Sequence, residues 1–120
     1  MKTMFEAEVA VIGGGPAGVS AAISAAREGV SVILVERYGF LGGMSTAALV
    51  SPLMTFHAGD EQIIKGVGQE IIDMLINQGG SFGHVPDPVG FVSTVTPVDA
   101  EAMKVVCEKI VLEAGVKIIY

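Results

Sequence analysis

Apolar and polar positions along the chain follow two rhythms. Residues 8–12 (EVAVI) and 30–35 (VSVILV) are short runs rich in β-branched side chains, the composition of parallel strands buried inside a sheet. Between them, residues 16–28 form an Ala-rich stretch that predicts a helix, closed by Gly29 just past its end. Further on, Val67, Ile71, Met74 and Leu75 recur at helical spacing, so a second helix is predicted over 66–78, stopped by Gly79 and Gly80. Thr96-Pro97-Val98-Asp99 reads like a capping-box start with Pro97 at the first helical position. The helix that follows is predicted to run to about residue 114, with Met103, Val106, Cys107, Ile110 and Ala114 as its core face and Gly115 as its stop. Residues 116–120 (VKIIY) open a third strand. The stretch 38–62 shows neither period, and 81–96 (SFGHVPDPVGFVSTVT) reads as loop because of its prolines and glycines.

Strand, helix and strand in under thirty residues make a βαβ unit, whose crossover is right-handed as a rule. The expected architecture is therefore α/β: a Rossmann-like parallel sheet of strand order 3-2-1 with helices, plus an irregular and helical insertion. The expected division is βαβ over 7–37, insertion over 38–96, and helix with third strand over 97–120. Composition adds to this picture. A mean hydropathy of +0.62 and a hydrophobic share of 51% suit elements buried on both faces. The formal net charge is −6 and the few Lys and Arg are scattered, so no basic stripe exists for a phosphate backbone and nucleic acid is not an expected partner. The apolar stretch 41–56 is too short to span a bilayer and is broken by Gly, Ser, Thr and Pro. A lone Cys107 has no internal disulfide partner and fits a reducing compartment. The expectation is a soluble, cytoplasmic protein with no membrane partner.

The chemistry lies in Gly13-x-Gly15-x-x-Gly18, which follows the first strand and opens the first helix. That context gives each glycine a reason: Gly13 for a tight turn, Gly15 to let a pyrophosphate approach the backbone, Gly18 to let the helix pack against the strand. Pro16 suits the first helical turn, where its missing N–H has no helical partner, and the helix N-terminus presents N–H donors to phosphates. Glu36 ends the second strand, eighteen residues after Gly18. A carboxylate there accepts from the hydroxyls of an adenosine ribose and repels a 2′-phosphate; Arg37 leaves an NADP alternative open. The spacing by itself does not choose between FAD and NAD.

The residues after Glu36 extend the pattern. VIGGGPAGVSAA (11–22), VILVER (32–37), LGGMSTAALV (41–50) and the final TPVDAEAMKVVCEKIVLEAGVKIIY (96–120) together resemble the FAD-dependent oxidoreductases of the glutathione-reductase-like flavoprotein class. The resemblance implies that Gly42-Gly43, Met44 and Ser45 approach the pyrophosphate and ribityl chain of FAD. With the fingerprint, the implied cofactor set is Ile12, Gly13, Gly15, Pro16, Ala17, Gly18, Glu36, Arg37, Gly42, Gly43, Met44 and Ser45. It implies non-covalent FAD as well, because no histidine follows the doublet until His57. Members of the class carry several hundred residues, including a substrate domain. The chain is therefore expected to be the N-terminal part of an FAD-binding domain, inactive alone, and to self-associate or pair with the remainder of the fold. The leading function is an FAD-dependent oxidoreductase acting on a small-molecule substrate; an NAD-dependent dehydrogenase domain and a non-catalytic nucleotide-binding module are the alternatives. No catalytic residue is identified. His57 reads as a polar loop residue or a flavin-side acid or base, His84 as a surface turn residue and Cys107 as a packed, inert thiol; two histidines without a Cys or carboxylate pattern make no metal site.

Overall fold

A computed structural model of the protein describes residues 4–120. Its parallel sheet is built from β1 (Val9–Ile12), β2 (Val32–Val35) and a third strand, Lys117–Ile119, in the order first-second-third. That is the expected 3-2-1 arrangement, with Val9 opposite Val32 and Leu34 opposite Ile118. The middle strand carries the most continuous apolar run, and Val32, Ile33 and Leu34 are all buried.

Three helices complete the core: α1 (Pro16–Arg27), α2 (Val67–Asn77) and α3 (Ala100–Glu113). α1 lies on β1 and β2, α3 lies on the third strand, and α2 packs on both helices. One face of the sheet (Val9, Val11, Val32, Leu34, Ile118) meets Val19, Ala22 and Ile23 of α1 and Met103, Val106, Cys107 and Ile110 of α3 in a single core. Those four α3 positions are the expected ones, while Ala114 is only half-buried. On the other face Ile33 is buried and Phe5 lies over Lys117, while Ala10 and Ile12 stay exposed. β1 therefore alternates half-buried Val9 and Val11 with exposed Ala10 and Ile12, rather than being buried throughout as its composition suggests.

The insertion is more ordered than its sequence suggests. Residues 38–62 hold a short 3-10 turn, Gly43–Ser45, and three two-residue strands: β3 (Leu53–Met54), β4 (His57–Ala58) and β5 (Glu61–Gln62). The presumed loop 81–96 contains β6 (Val85–Pro86) and β7 (Thr94–Thr96), and β7 pairs antiparallel with both β3 and β6. The third strand of the parallel sheet is then β8 (Lys117–Ile119). Pro86 is tolerated because β6 is an edge strand. The carboxylate of Asp87 shapes the turn between β6 and β7, accepting from the amides of Val89, Phe91 and Val92.

The start of α3 also differs from expectation. Asp99, not Thr96, is the N-cap, and its Oδ1 accepts from the Ala102 amide at 2.7 Å. Asp is among the strongest N-caps, and Thr96 is committed to β7, so Pro97 lies ahead of the helix rather than in its first turn. Among the described residues, no helix is long and apolar enough to cross a membrane.

Candidate functional site

β1 and β2 run parallel, so their C-terminal ends open on the same side, and there the chain turns through Gly13, Gly14 and Gly15 into α1. Each glycine of the turn meets a different constraint. Gly13 has φ +99°, a conformation L side chains rarely adopt. A Cβ on Gly18 would overlap the carbonyl oxygen of Gly13, so the helix lies against the turn only because Gly18 has none. Gly15 is different. Its φ is −71°, and a Cβ would meet nothing nearer than Gly43 Cα at 3.8 Å. Neither backbone nor packing asks for glycine there, so the bare backbone at Gly15 faces open space. Around it, the amides of Gly15, Ala17 and Gly18 donate to no group among the described residues, leaving three N–H groups at the positive end of α1.

Glu36 is buried at the end of β2. Its Oε2 accepts from the Gly14 amide at 2.6 Å and its Oε1 from the Tyr38 amide at 2.9 Å. Burial by itself pushes its pKa up, but the Tyr38 and Gly14 amides, helped by the nearby Arg37, outweigh burial and hold the carboxyl below its ordinary value. It is therefore a carboxylate at neutral pH. Two of about four lone-pair sites are used by these amides, and the others remain to accept from a ligand. Glu36 thus binds the glycine turn to β2, a structural duty its position at a strand end does not announce. A cleft of about 410 Å³ opens here, lined by Ile12, Gly13, Val35, Glu36, Arg37 and Tyr38. Ile12 is 78% exposed and offers an apolar edge, while the Arg37 guanidinium stacks 4.7 Å from the centre of the Tyr38 ring.

The glycine doublet closes on the same turn. Gly42 donates to Gly14 O at 2.8 Å, and a Cβ on Gly43 would lie 2.7 Å from Gly15 Cα. Both doublet residues have positive φ, +106° and +49°. Leu41, fully buried, fills the space beside Gly14, and Thr46 Oγ1 donates to Leu41 O at 2.9 Å to fix the segment. Ser45 is buried beneath this turn and Met44 is exposed. All twelve residues singled out from the sequence therefore fall on three adjoining pieces of chain: the turn into α1, the end of β2, and the doublet segment. Gly14, Tyr38 and Leu41 were not singled out. Gly14 stood in view as the middle of a glycine triplet, whereas the wedge role of Leu41 has no signature in the sequence.

A profile described as FAD dependent oxidoreductase matches residues 8–120. The chain belongs to the FAD-dependent oxidoreductase family. FAD is the cofactor of this family and of this chain. Among curated relatives, an NADH oxidase of Thermoanaerobacter brockii is 53% identical over 45 residues, covering 38% of the chain and 7% of the relative. A urocanate reductase of Eggerthella lenta is 37% identical over 86 residues, covering 69% of the chain and 13% of the relative. The chain thus spans only a small part of the curated relatives it matches. The solved structure of THI4 from Thermovibrio ammonificans superposes on 94% of the chain and 38% of its own, with a TM-score of 0.55 at 23% identity; it shares the fold.

Cys107, His84 and His57 lie away from this site. Cys107 is fully buried in α3, and burial pushes its thiol up to about 12, so it is a protonated, packed thiol at neutral pH, as its helical position suggests. His84 is not the surface turn residue it resembles in sequence. It is half-buried next to β6, with Nδ1 2.7 Å from Thr96 Oγ1, Nε2 2.8 Å from Gln69 Oε1, and its ring against Phe56. Pairing of β6 with β7 and packing of α2 carry it inward. His57 lies in β4, half-buried, with Nδ1 3.1 Å from Thr94 Oγ1. A larger hollow of about 490 Å³ sits at the other end of α1, beside the Arg27–Glu70 ion pair, with the carboxylates of Asp73 and Glu113 also in its wall.

Proposed function

We propose that the Gly13–Gly18 turn, Glu36 and the Gly42-Gly43 segment hold FAD non-covalently, and that the chain is the N-terminal part of the FAD-binding domain of an oxidoreductase acting on a small-molecule substrate. The observation that carries the reading is Gly15, a glycine with no structural need to be one, set among three unpartnered amides. The residues present fit the group. The bare backbone suits a pyrophosphate, whose charge the α1 N-terminus favours, and the unused lone pairs of Glu36 suit two ribose hydroxyls. The cleft between Ile12 and the Arg37–Tyr38 pair suits the adenosine end. Gly43, pressed against Gly15, brings Met44 and Ser45 beside the loop, on the side where the ribityl chain would continue.

Bound FAD supplies a flavin that accepts or donates hydride. This chain's residues bind and orient it: the amides of Gly15, Ala17 and Gly18 donate to phosphate oxygens, Glu36 fixes the ribose, and Leu41 keeps the glycine turn in shape. None of the described residues is assigned as proton donor or acceptor to substrate.

Two features support a longer parent. The chain spans 7% and 13% of the relatives above, and β1, with Ala10 and Ile12 exposed on one face, is an outer strand whose free edge pairs with no strand among the described residues. Such a face and edge invite pairing, either with further chain or with a second copy. A cytoplasmic location accompanies this reading, on the strength of the single cysteine. The test is acid precipitation of the purified flavoprotein carrying these residues. Flavin released into the supernatant supports the proposal; flavin retained in the pellet contradicts non-covalent binding, and a colourless protein whose amide spectrum ignores added FAD contradicts the site.

A further inference from the structure

The link between Glu36 and the Gly42-Gly43 doublet, Arg37-Tyr38-Gly39-Phe40-Leu41, joins the two halves of the cofactor site. It belongs to no helix or strand. Its backbone is tied near its ends: the Tyr38 amide donates to Glu36 Oε1 at 2.9 Å, and Leu41 O accepts from Thr46 Oγ1 at 2.9 Å. Between these points the amides of Gly39, Phe40 and Leu41 donate to no group among the described residues. A segment with so few backbone bonds keeps one conformation only if its side chains hold it.

Those side chains form a stack. The rings of Tyr38 and Phe40 lie 5.8 Å apart, centre to centre, and 12° from parallel, an offset aromatic pair. The Arg37 guanidinium lies 4.7 Å from the centre of the Tyr38 ring, and its Nη2 donates to Tyr38 Oη at 3.2 Å. A residue distant in sequence closes the other end: Lys104 of α3, whose Nζ stands 4.3 Å from the centre of the Phe40 ring. The same ammonium donates to Glu101 Oε1 at 2.6 Å, one turn back along α3. Glu101 is 78% exposed, and an ion pair so open to water holds little. The face of Phe40 is therefore the firmer seat for the cation.

We propose that Lys104 and Phe40 are positioning residues for FAD, a proposal that rests on the reading of the site given above. The ammonium caps the Phe40 ring, and the Phe40–Tyr38–Arg37 stack holds the link in the arrangement that receives the adenosine end of the cofactor. Arg37 and Tyr38 line the cleft assigned to adenosine, whereas neither Phe40 nor Lys104 does. Tyr38 also orients Glu36 through its amide. Phe40 precedes Leu41, which fills the space beside Gly14, and the Gly14 amide donates to the other oxygen of Glu36. Without the cation the link populates its receiving arrangement less, and the apparent affinity falls by the same fraction. A cation–π contact at a part-exposed position sets that fall at roughly two- to fivefold.

The test titrates FAD, and separately ADP, into apoprotein prepared from the purified flavoprotein carrying these residues. ADP has the adenosine and the pyrophosphate but no flavin. Lys104→Met removes the charge and keeps a long, helix-favouring side chain; Lys104→Arg keeps the charge and its attraction to the ring. Lys104→Met should melt within a few degrees of the parent and bind FAD and ADP more weakly by the same factor, roughly two- to fivefold. It should also shift the Arg37 Nε–H signal in nitrogen-labelled protein, although Phe40 and Tyr38 stand between the two residues in the stack. Lys104→Arg should restore the affinity and the signal. In a Phe40→Leu background Lys104→Met should cost nothing further, because the ring it acts on is gone. Three results would each overturn the positioning role while leaving the FAD site standing: Lys104→Met binding both ligands like the parent, Lys104→Arg as weak as Lys104→Met, or fully additive losses in the double variant. A parent apoprotein that takes up neither FAD nor ADP contradicts the site itself, and the proposal with it.

Discussion

Gly15→Ala separates room for a ligand from the needs of the fold. The substitution adds a Cβ whose nearest neighbour is Gly43 Cα at 3.8 Å, an ordinary contact, at a residue with φ −71°. Two effects on stability oppose each other. Removing a glycine from a compatible position stabilises by about 0.4–1 kcal/mol through the unfolded chain. Replacing glycine by alanine at an N-cap costs on the order of 0.5–1 kcal/mol, since alanine caps poorly. The net change is within about 1 kcal/mol, a few degrees in the melting temperature of a domain this size. Cofactor affinity should respond far more. If the new methyl displaces the pyrophosphate from even one amide, a charge-assisted bond of about 1.5–3 kcal/mol is lost, or roughly ten- to 150-fold in Kd. Gly18→Ala is the contrast. Its methyl would overlap Gly13 O, so it should destabilise the fold by about 1–3 kcal/mol or more, as overpacking does. Thermal melts of the apoprotein and FAD titrations of both variants decide the matter. A Gly15→Ala protein that melts like the parent and binds FAD equally well would show that the pyrophosphate does not lie against Gly15.

Glu36→Ala should weaken FAD binding tenfold or more, measured by titration, and should also lower stability because the Gly14 and Tyr38 amides lose their acceptor. The lowered pKa of Glu36 makes its contribution full above the unfolded value near 4.3 and lost as pH falls through the folded value. Glu36→Ala should therefore flatten the acid limb of a stability–pH profile and leave the slope near neutrality unchanged. Asp99→Ala should cost about 1 kcal/mol in denaturant melts, from loss of the bond to Ala102, with FAD affinity unaltered. Residues 1–120 expressed alone should sediment as associated species, since the edge of β1 is unpaired; a clean monomer that retains stoichiometric FAD would contradict the fragment reading.

The parallel sheet and its helices were legible in the sequence because each is specified locally. β2 is an uninterrupted apolar run, α1 opens with Pro16 and ends near Gly29, and the core face of α3 repeats at helical spacing. The glycine fingerprint was legible for the same reason, as its three constraints act within six residues of one turn. The insertion was not. β7 is set by partners at 53–54 and 85–86, and no local signal announces a ladder whose strands are two or three residues long. His84 looked exposed because Pro86, Pro88 and its flanking glycines mark a turn, yet Gln69 and Phe56, distant in sequence, enclose it. At Pro97 two local rules competed: proline favours a first helical position, but Asp99 supplied the stronger cap and Thr96 was already held in a sheet.

FAD bound as proposed meets the backbone at Gly15 and the side chain of Glu36. Adding FAD to nitrogen-labelled apoprotein, and following backbone amide shifts, tests it most directly. The largest shifts are expected at Gly13, Gly15, Ala17 and Gly18, with companions at Gly42 and Gly43 and little change at the Arg27 end of α1. Saturable binding that moves the amides around Arg27 and Glu70 while leaving Gly15 to Gly18 in place would contradict it.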